Sequence, residues 1–312
     1  MKKIAIIGRK PKPYGGLSIF VQRLESKLIK EKNHVLSIDP RDKSSIIKFA
    51  VFSPFAKWDK IIINNFSLLF LVLLFLTNKL KFVTLVDHNH SRHFNKKNKI
   101  YINVLKLLIP KIDTLWLVSS HLKENYFRYD IKEPKETIVE SPYIPVSSDI
   151  LNQDKRNIPQ DLKSMIKNQR YTFINSSSQS ISSLSEDIYG IKDSIEAIAN
   201  INDSNLIISH SIFNEKIKNE IEGIAKNLNI NDRVHYIKGD FPLWAVFSDI
   251  TAFLRTTKTD GNSVSIMEAL DAHTLVIASD SVPRPNGCYI YQTGNVEDLS
   301  EKMLSTIQNN VN

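Results

Sequence analysis

The 312 residues carry 41 Lys and Arg against 33 Asp and Glu, and a single cysteine, Cys288, excludes an internal disulfide and fits a reducing cytoplasm. The longest apolar run, Leu68–Leu76, is nine residues, short of the roughly twenty needed for a membrane-spanning helix. Length above the roughly 250–300 residues at which one core usually divides predicts two domains, taken as 1–150 and 151–312.

Charge is divided unevenly. Residues 1–150 hold 26 Lys and Arg and 13 Asp and Glu, a net of +13, whereas the remainder holds 15 and 20, a net of −5. The basic half points to an anionic partner such as a membrane surface, or to a plain solvated face. No recognition motif accompanies the charge, so nucleic acid is not expected.

Taken in chain order, Met1–Gly8 reads as a first strand rather than a signal peptide, because its apolar run is short and no cleavage site follows. Strands are predicted at Lys3–Ile7, His34–Ser37, Lys60–Ile63, Phe82–Val86, Thr114–Val118 and Thr137–Val139. Helices are predicted near Ser18–Glu31, Leu68–Asn78, Asn98–Ile109 and Ser120–Tyr129, with the Leu68–Leu76 stretch buried against the sheet. A polar segment, Val146–Gln169, then crosses to a second series of strands: Tyr171–Asn175, Asn205–Ser209, Val234–Ile237, Ile250–Phe253, Thr274–Ala278 and Cys288–Tyr291. Helices fall near Ile191–Asn200, Asn214–Leu228, Phe241–Phe247, Ser263–Ala272 and Val296–Asn309. Alternating strands and helices argue for α/β architecture, two Rossmann-like doubly wound domains facing a cleft.

Glycine is scarce, and Gly15-Gly16 stands out, following the first strand through a Pro-rich loop and preceding a helix. It reads as a ligand-facing loop or a plain turn. A G-x-G-x-x-G dinucleotide fingerprint is absent.

The most informative stretch is Phe253–Pro285. A strand end is followed by a polar loop with Asp260 and Gly261, then a helix opening in Asn262, Ser263, Val264 and Ser265, then an apolar strand and Arg284-Pro285. Exposed N–H groups at such a helix start make an anion site. Asp260 lies just before it and Glu268 about one turn inside. Two carboxylates beside a phosphate site call for a hydroxyl-rich ligand, and a nucleotide sugar is of that kind.

Here the chain resembles the retaining glycosyltransferases of GT-B fold (glycosyltransferase family four, or group 1). Their acid-x7-Glu motif is usually written Glu-x7-Glu, and one branch writes Asp in the first place, as Asp260 does here. The last sixty or so residues carry most of the resemblance. It implies a metal-independent transferase moving a sugar, with retention, from a nucleotide-sugar donor to a saccharide or lipid-linked saccharide acceptor. The setting implied is bacterial surface polysaccharide synthesis, in the cytoplasm or peripherally on the inner face of the membrane. The first domain would serve the acceptor and the second the nucleotide sugar.

Residue by residue, the resemblance makes Glu268 the ribose-binding acid and Asp260 the acid beside the donor sugar. Gly15, Gly16, Arg255, Lys258, Gly261, Asn262, Ser263, Val264 and Ser265 become the donor cradle, and His90 a contact near donor sugar and acceptor. Each has a second reading. Ser265–Glu268 has capping-box spacing, Asp260-Gly261 suits an Asx turn, and Arg255 suits a surface ion pair of little energy. His88, His90 and His93 have a spacing that invites a metal, but no Cys or Glu lies beside them. Asp87 is placed either to orient an imidazole or to act on the acceptor.

The chain contains no Asp-x-Asp, and no cofactor or metal is expected. One departure from the family stands out: the segment from Asn175 to Asp187, rich in serine, lacks the Arg and Lys that relatives aim at the diphosphate. Arg255, Lys258 or Arg284 could replace that charge. A catalytically silent nucleotide-sugar-binding subunit, or an epimerase or hydrolase on the same fold, are the alternatives.

Overall fold

The computed structural model describes residues 1–11, 15–64, 66–177, 183–239, 241–260 and 263–309. Two compact units are present, one formed by Met1–Pro11 with Gly16–Ile144, the other chiefly by Pro145–Asn312.

The first unit runs β1 (Lys3–Ile7), α1 (Gly16–Lys30), β2 (His34–Ile38), α2 (Lys43–Phe52), β3 (Lys60–Ile63) and α3 (Leu68–Leu76). It continues with β4 (Val83–Asp87), α4 (Lys99–Leu108), β5 (Thr114–Leu117), α5 (Lys123–Arg128) and β6 (Glu136–Val139). Its strands form one parallel sheet in the order β2-β1-β3-β4-β5-β6. Ile4, Ala5, Ile6 and Ile7 of β1 are all buried, which is why that strand reads as an unbroken apolar run rather than an alternating one. Gly8, at the end of β1, is required by packing: a Cβ there would lie 2.6 Å from Val21 Cγ2 and 3.1 Å from Asn64 Cβ.

The second unit opens with α6 (Ser148–Arg156) and α7 (Gln160–Lys167), followed by β7 (Tyr171–Ser177), α8 (Ile191–Ile198), β8 (Ser204–His210), α9 (Glu215–Asn227) and β9 (Val234–Lys238). Then come β10 (Ala252–Arg255), α10 (Val264–Asp271), β11 (Leu275–Ser279), β12 (Cys288–Tyr291) and α11 (Val296–Asn309). The sheet order is β12-β11-β10-β7-β8-β9, all parallel. Counted from β7 this is the 3-2-1-4-5-6 order of a doubly wound nucleotide-binding fold, and its direction reverses between β7 and β10. One sheet face is covered by a core that includes Ile195, Ile198, Ile221 and Met303, from α8, α9 and α11. The other face is covered by two smaller clusters that include Leu162 and Ile166 of α7 and Ile266 and Ala269 of α10.

The predicted strands are all present, shifted at their ends by up to two residues. Three helical segments differ. The crossing segment 146–169 is not irregular: it forms α6 and α7, because Leu162 and Ile166, one turn apart, are buried against Ile174 and Ile207. Helix α2 lies where none was predicted. Its sequence, KSSIIKFAVF, is apolar nearly all round, and Phe49 is its only fully buried residue, so it lacks the one-sided periodicity that marks a helix. The predicted helix at 241–247 is instead a pair of short 3-10 turns, Leu243–Ala245 and Phe247–Asp249. Helix α3 meets the sheet expectation on one side only. Phe70, Leu71 and Leu74 are buried, while Leu69, Val72 and Leu76 are exposed.

Candidate functional site

In doubly wound sheets ligands bind outside the carboxyl ends of the strands where the order reverses. In the second unit that point lies between β7 and β10, and the polar residues gather there. Asn175 near the end of β7 is buried, and its Nδ2 donates to Ser194 Oγ of α8 at 2.9 Å and to Thr256 Oγ1, just past β10, at 2.8 Å. Thr256 Oγ1 in turn donates to the Tyr189 carbonyl at 2.6 Å. This contact forces a glycine next along the chain: Gly190 has φ +64, and a Cβ there would lie 2.4 Å from the Thr256 carbonyl oxygen.

The first residues of the loop that leaves β10 are tied to their neighbours. The Lys258 N–H donates to the Ile188 carbonyl at 2.9 Å, and Ser279 and Ser281 hydroxyls donate to the Thr257 carbonyl at 2.6 and 2.7 Å. Asp260 closes the loop through ion pairs. Arg255 grips both carboxylate oxygens, Nε to Oδ2 at 2.8 Å and Nη2 to Oδ1 at 3.0 Å, and Arg284 Nη1 reaches Oδ2 at 2.9 Å. Arg284 is itself fixed by donation to the Ser279 carbonyl and hydroxyl, both at 2.8 Å. All three side chains are largely buried. Burial alone would raise the Asp260 carboxyl, but the two guanidiniums overcome it and hold the group well below the usual carboxylate range.

Arg255 therefore does pair with a carboxylate, but in a buried triad with Arg284 and not in the weak surface contact of its second reading. Asp260 spends both oxygens on arginines. The isolated Asx-turn reading gives no hint of this, because the second arginine lies 24 residues further on.

Helix α10 follows this loop. Ser263 is the N-cap, with extended backbone at φ −73 and ψ 112, and its hydroxyl meets that of Ser265 at 2.9 Å. Helix α10 begins at Val264, so Glu268 is its fifth residue. The capping-box reading of Ser265–Glu268 is therefore wrong: it needs Ser265 as N-cap and Glu268 as third residue, two positions away from where they stand. Glu268 is buried, on the same face as Val264 one turn earlier. Lys258 is exposed and, among the described residues, enters no ion pair; burial raises the carboxyl of nearby Asp187, and the Lys258 charge offsets a small part of that rise. Gly261 and Asn262 lie outside the described residues, as do 178–182 of the serine-rich segment. Its far end is anchored, Ser183 Oγ donating to Glu220 of α9 at 3.1 Å and the Leu184 N–H at 2.7 Å.

Gly15 precedes α1, and Gly16 opens it, after the end of β1. The three histidines diverge. His88 Nε2 meets Asn64 Oδ1 at 3.3 Å and its ring packs edge-on to Phe20, and this burial pushes its pKa down to about 4. His90 stacks on Phe66, centroids 5.0 Å apart and planes 5° apart, and its Nε2 is buried with no hydrogen-bond partner. His93 Nε2 accepts from Arg92 Nε at 3.0 Å. Among the described residues no three His, Cys, Asp or Glu side chains converge in a metal-holding group. Asp87 neither orients an imidazole nor stands open to a ligand. It is fully buried, accepts from the His90 N–H at 2.6 Å and from the Tyr126 hydroxyl at 2.9 Å, and so caps the turn that carries His90.

No family model and no curated protein matches the chain. Solved structures do match over nearly its whole length. HepE of Anabaena in complex with UDP and glucose aligns with a TM-score of 0.74 at 13% identity, covering 99% of this chain and 91% of that one. The sucrose-phosphate synthase of Thermosynechococcus elongatus aligns at 0.68 with 17% identity, covering 99% and 90%. The lipopolysaccharide outer core galactosyltransferase WaaB aligns at 0.62 with 16% identity, covering 99% and 91%. At such identities the likeness is one of fold, and the fold is that of the GT-B glycosyltransferases: two units, each with a six-stranded parallel sheet flanked by helices.

Proposed function

We propose that this protein is a glycosyltransferase that moves a sugar from a nucleotide-sugar donor to a saccharide or lipid-linked saccharide acceptor. The observation that carries the reading is the placement of Glu268. It is a buried acid one turn inside a helix whose start is fixed at the reversal point of a doubly wound sheet. An acid at that place, beside the N-terminus of the helix, is positioned to accept from the two ribose hydroxyls of a nucleotide whose phosphates meet the helix start. Two of the three structures compared above supply support by analogy, one holding UDP and glucose and one named a galactosyltransferase, and the first favours a uridine diphosphate sugar as donor.

In this reading the bond from the sugar anomeric carbon to the diphosphate oxygen breaks, and the acceptor oxygen forms the new bond while its proton passes to the departing diphosphate. Negative charge builds on the departing diphosphate, where the N–H groups opening α10 and the Lys258 ammonium would stabilise it. Asp260 sets the loop through its arginines, and His90, whose Nε2 lacks a partner, would hydrogen-bond a sugar. Retention of configuration, independence of added metal and a place in surface polysaccharide synthesis belong to the same proposal, drawn from the family resemblance. Chelator-treated protein should keep its activity.

A second reading, a nucleotide-sugar-binding subunit without turnover, draws on one observation. Both arginines near the site, Arg255 and Arg284, are committed to Asp260, which leaves few cations for the leaving diphosphate. Calorimetry with UDP and turnover of a panel of UDP-sugars test the two together. Glu268→Ala should weaken UDP binding by about 10- to 150-fold, the worth of a charge-assisted hydrogen bond. Unchanged affinity in the folded variant overturns the ribose assignment, and binding without hydrolysis or transfer of any sugar favours the silent subunit.

A further inference from the structure

The unabsorbed feature of the first unit is an apolar surface on one side of its sheet. In the order β2-β1-β3-β4-β5-β6, the crossovers carrying α2, α3 and α4 all advance in the same direction. Right-handed connections therefore lay the three helices on one sheet face. They are neighbours: Phe49 of α2 meets Phe70 of α3 with ring centroids 5.9 Å apart, and α3 packs on α4. Their inner sides are buried through Phe49, through Phe70 and Leu74, and through Ile102 and Leu105.

Their outer sides are apolar as well. On α3, Leu69 and Leu76 are 65% and 75% exposed, with Val72 between them on the same stripe. On α2, Ile47 and Val51 lie one turn apart and exposed, and Phe55 just beyond the helix is 86% exposed. On α4, Ile100 and Leu107 are exposed two turns apart. A helix on a water-facing surface normally presents polar side chains outward. Adjacent apolar stripes on three helices mark an interaction site.

Charge says what covers it. Between residues 43 and 112 stand twelve Lys and Arg but only two acids, Asp59 and Asp87, and the second is fully buried. Helices α2, α3 and α4 contain no acid at all. Lys48, Lys57, Lys81, Lys96, Lys97 and Lys99 are exposed on or beside these helices. Protein–protein interfaces are depleted in lysine, whereas aliphatic side chains among lysines match the boundary between acyl chains and anionic headgroups. Among the described residues no helix is long and apolar enough to cross a membrane, and nine residues of α3 extend only about 14 Å.

We propose that the outer face of α2, α3 and α4 docks the protein onto an anionic lipid bilayer, its leucine, isoleucine and phenylalanine side chains entering the interface while the surrounding lysines meet headgroups. The mode combines apolar insertion with electrostatic attraction, and it is independent of the proposed transfer chemistry.

Co-sedimentation of the full chain with phosphatidylglycerol-containing and pure phosphatidylcholine vesicles tests it, at low and at high salt. The expected result is binding to the anionic vesicles that salt weakens without abolishing, and far weaker binding to neutral ones. Each of Lys97→Glu and Lys99→Glu should weaken binding about fivefold or more. Leu69→Asp with Leu76→Asp should remove the salt-resistant part, and circular dichroism would confirm the fold. If that pair proves unstable, Leu76→Trp serves instead, its fluorescence being quenched by lipids brominated on the acyl chain beyond the change seen in wild type. Complete release by salt with no effect of the leucine variants overturns the insertion. So does a lipid-free oligomer that the same leucine changes dissociate, with no vesicle binding, since the face would then be covered by a second copy of the chain.

Discussion

Arg255 holds Asp260 through two parallel hydrogen bonds, 2.8 and 3.0 Å long, and the pair is buried against a second guanidinium from Arg284. The bidentate geometry matches the fork of the guanidinium to the carboxylate, and the third residue leaves the cluster with a net positive charge. Asp260 thus joins the end of β10 to the loop after β11. The triad is a positioning device beside the helix start.

Asp260→Ala should be strongly destabilising. Removing the acid leaves two buried guanidiniums facing one another, and breaking a buried pair in this way costs about 3–5 kcal/mol. Urea denaturation of the variant checks this. A residue that serves only as an acceptor for sugar hydroxyls would show no comparable loss without ligand.

Gly190→Ala should also destabilise. Its φ of +64 costs a residue with a Cβ about 1–2 kcal/mol, and the new methyl carbon would lie 2.4 Å from the Thr256 carbonyl oxygen. The overlap adds to the backbone cost, because Thr256 is held in turn by Asn175. A melting temperature equal to wild type would show that the α8 N-terminus can shift at no cost.

Apolar strands separated by helical segments make the architecture readable from the sequence, because strands covered on both faces leave unbroken runs such as Ile4–Ile7 and Ile61–Ile63. Helix α2 was not readable, since its apolar residues face both the sheet and the outside. The donor loop was legible as a motif, but the partners of its acid were not. Sequence spacing places Asp260 five residues from Arg255 and 24 from Arg284, and only the parallel pairing of β10 with β11 brings those two arginines together. The capping-box reading fails for a local reason: Ser263 is the N-cap and α10 starts at Val264, ahead of Ser265.

Lys258 and Arg284 should behave differently toward nucleotide. Arg284 is nearly enclosed and committed to Asp260 and Ser279, whereas Lys258 is exposed beside the loop. Lys258→Ala is therefore expected to weaken UDP affinity about 10-fold or more with little effect on stability, as for the loss of a charged hydrogen-bond donor. Arg284→Met is expected to lower stability first. Calorimetric titration of both variants beside their urea midpoints separates the roles. Equal affinity of Lys258→Ala and wild type would return the phosphate charge to the arginines.

Stability should fall on mild acidification, with His88 a main cause. Burial lowers its pKa from 6.5 to about 4 in the folded chain. Between those values the unfolded chain takes up a proton that the folded chain refuses, so the stability is full above about 6.5 and is lost as pH falls toward 4. One such proton corresponds to a slope of about 1.4 kcal/mol per pH unit. His90, His93 and His235 are shifted downward by burial too and act with the same sign. Asp39 works in a lower window. Its hydrogen bonds from Arg41 hold it at about 2 against an ordinary 3.8, so its contribution is present above 3.8 and lost as pH falls through about 2. His88→Gln keeps a group that can hydrogen-bond Asn64 but cannot titrate. Urea midpoints measured from pH 7 to pH 4.5 should fall less steeply in the variant, by up to about one proton's worth of slope. Parallel profiles would mean that His88 becomes protonated in place, with Asn64 and Phe20 moving aside to admit water.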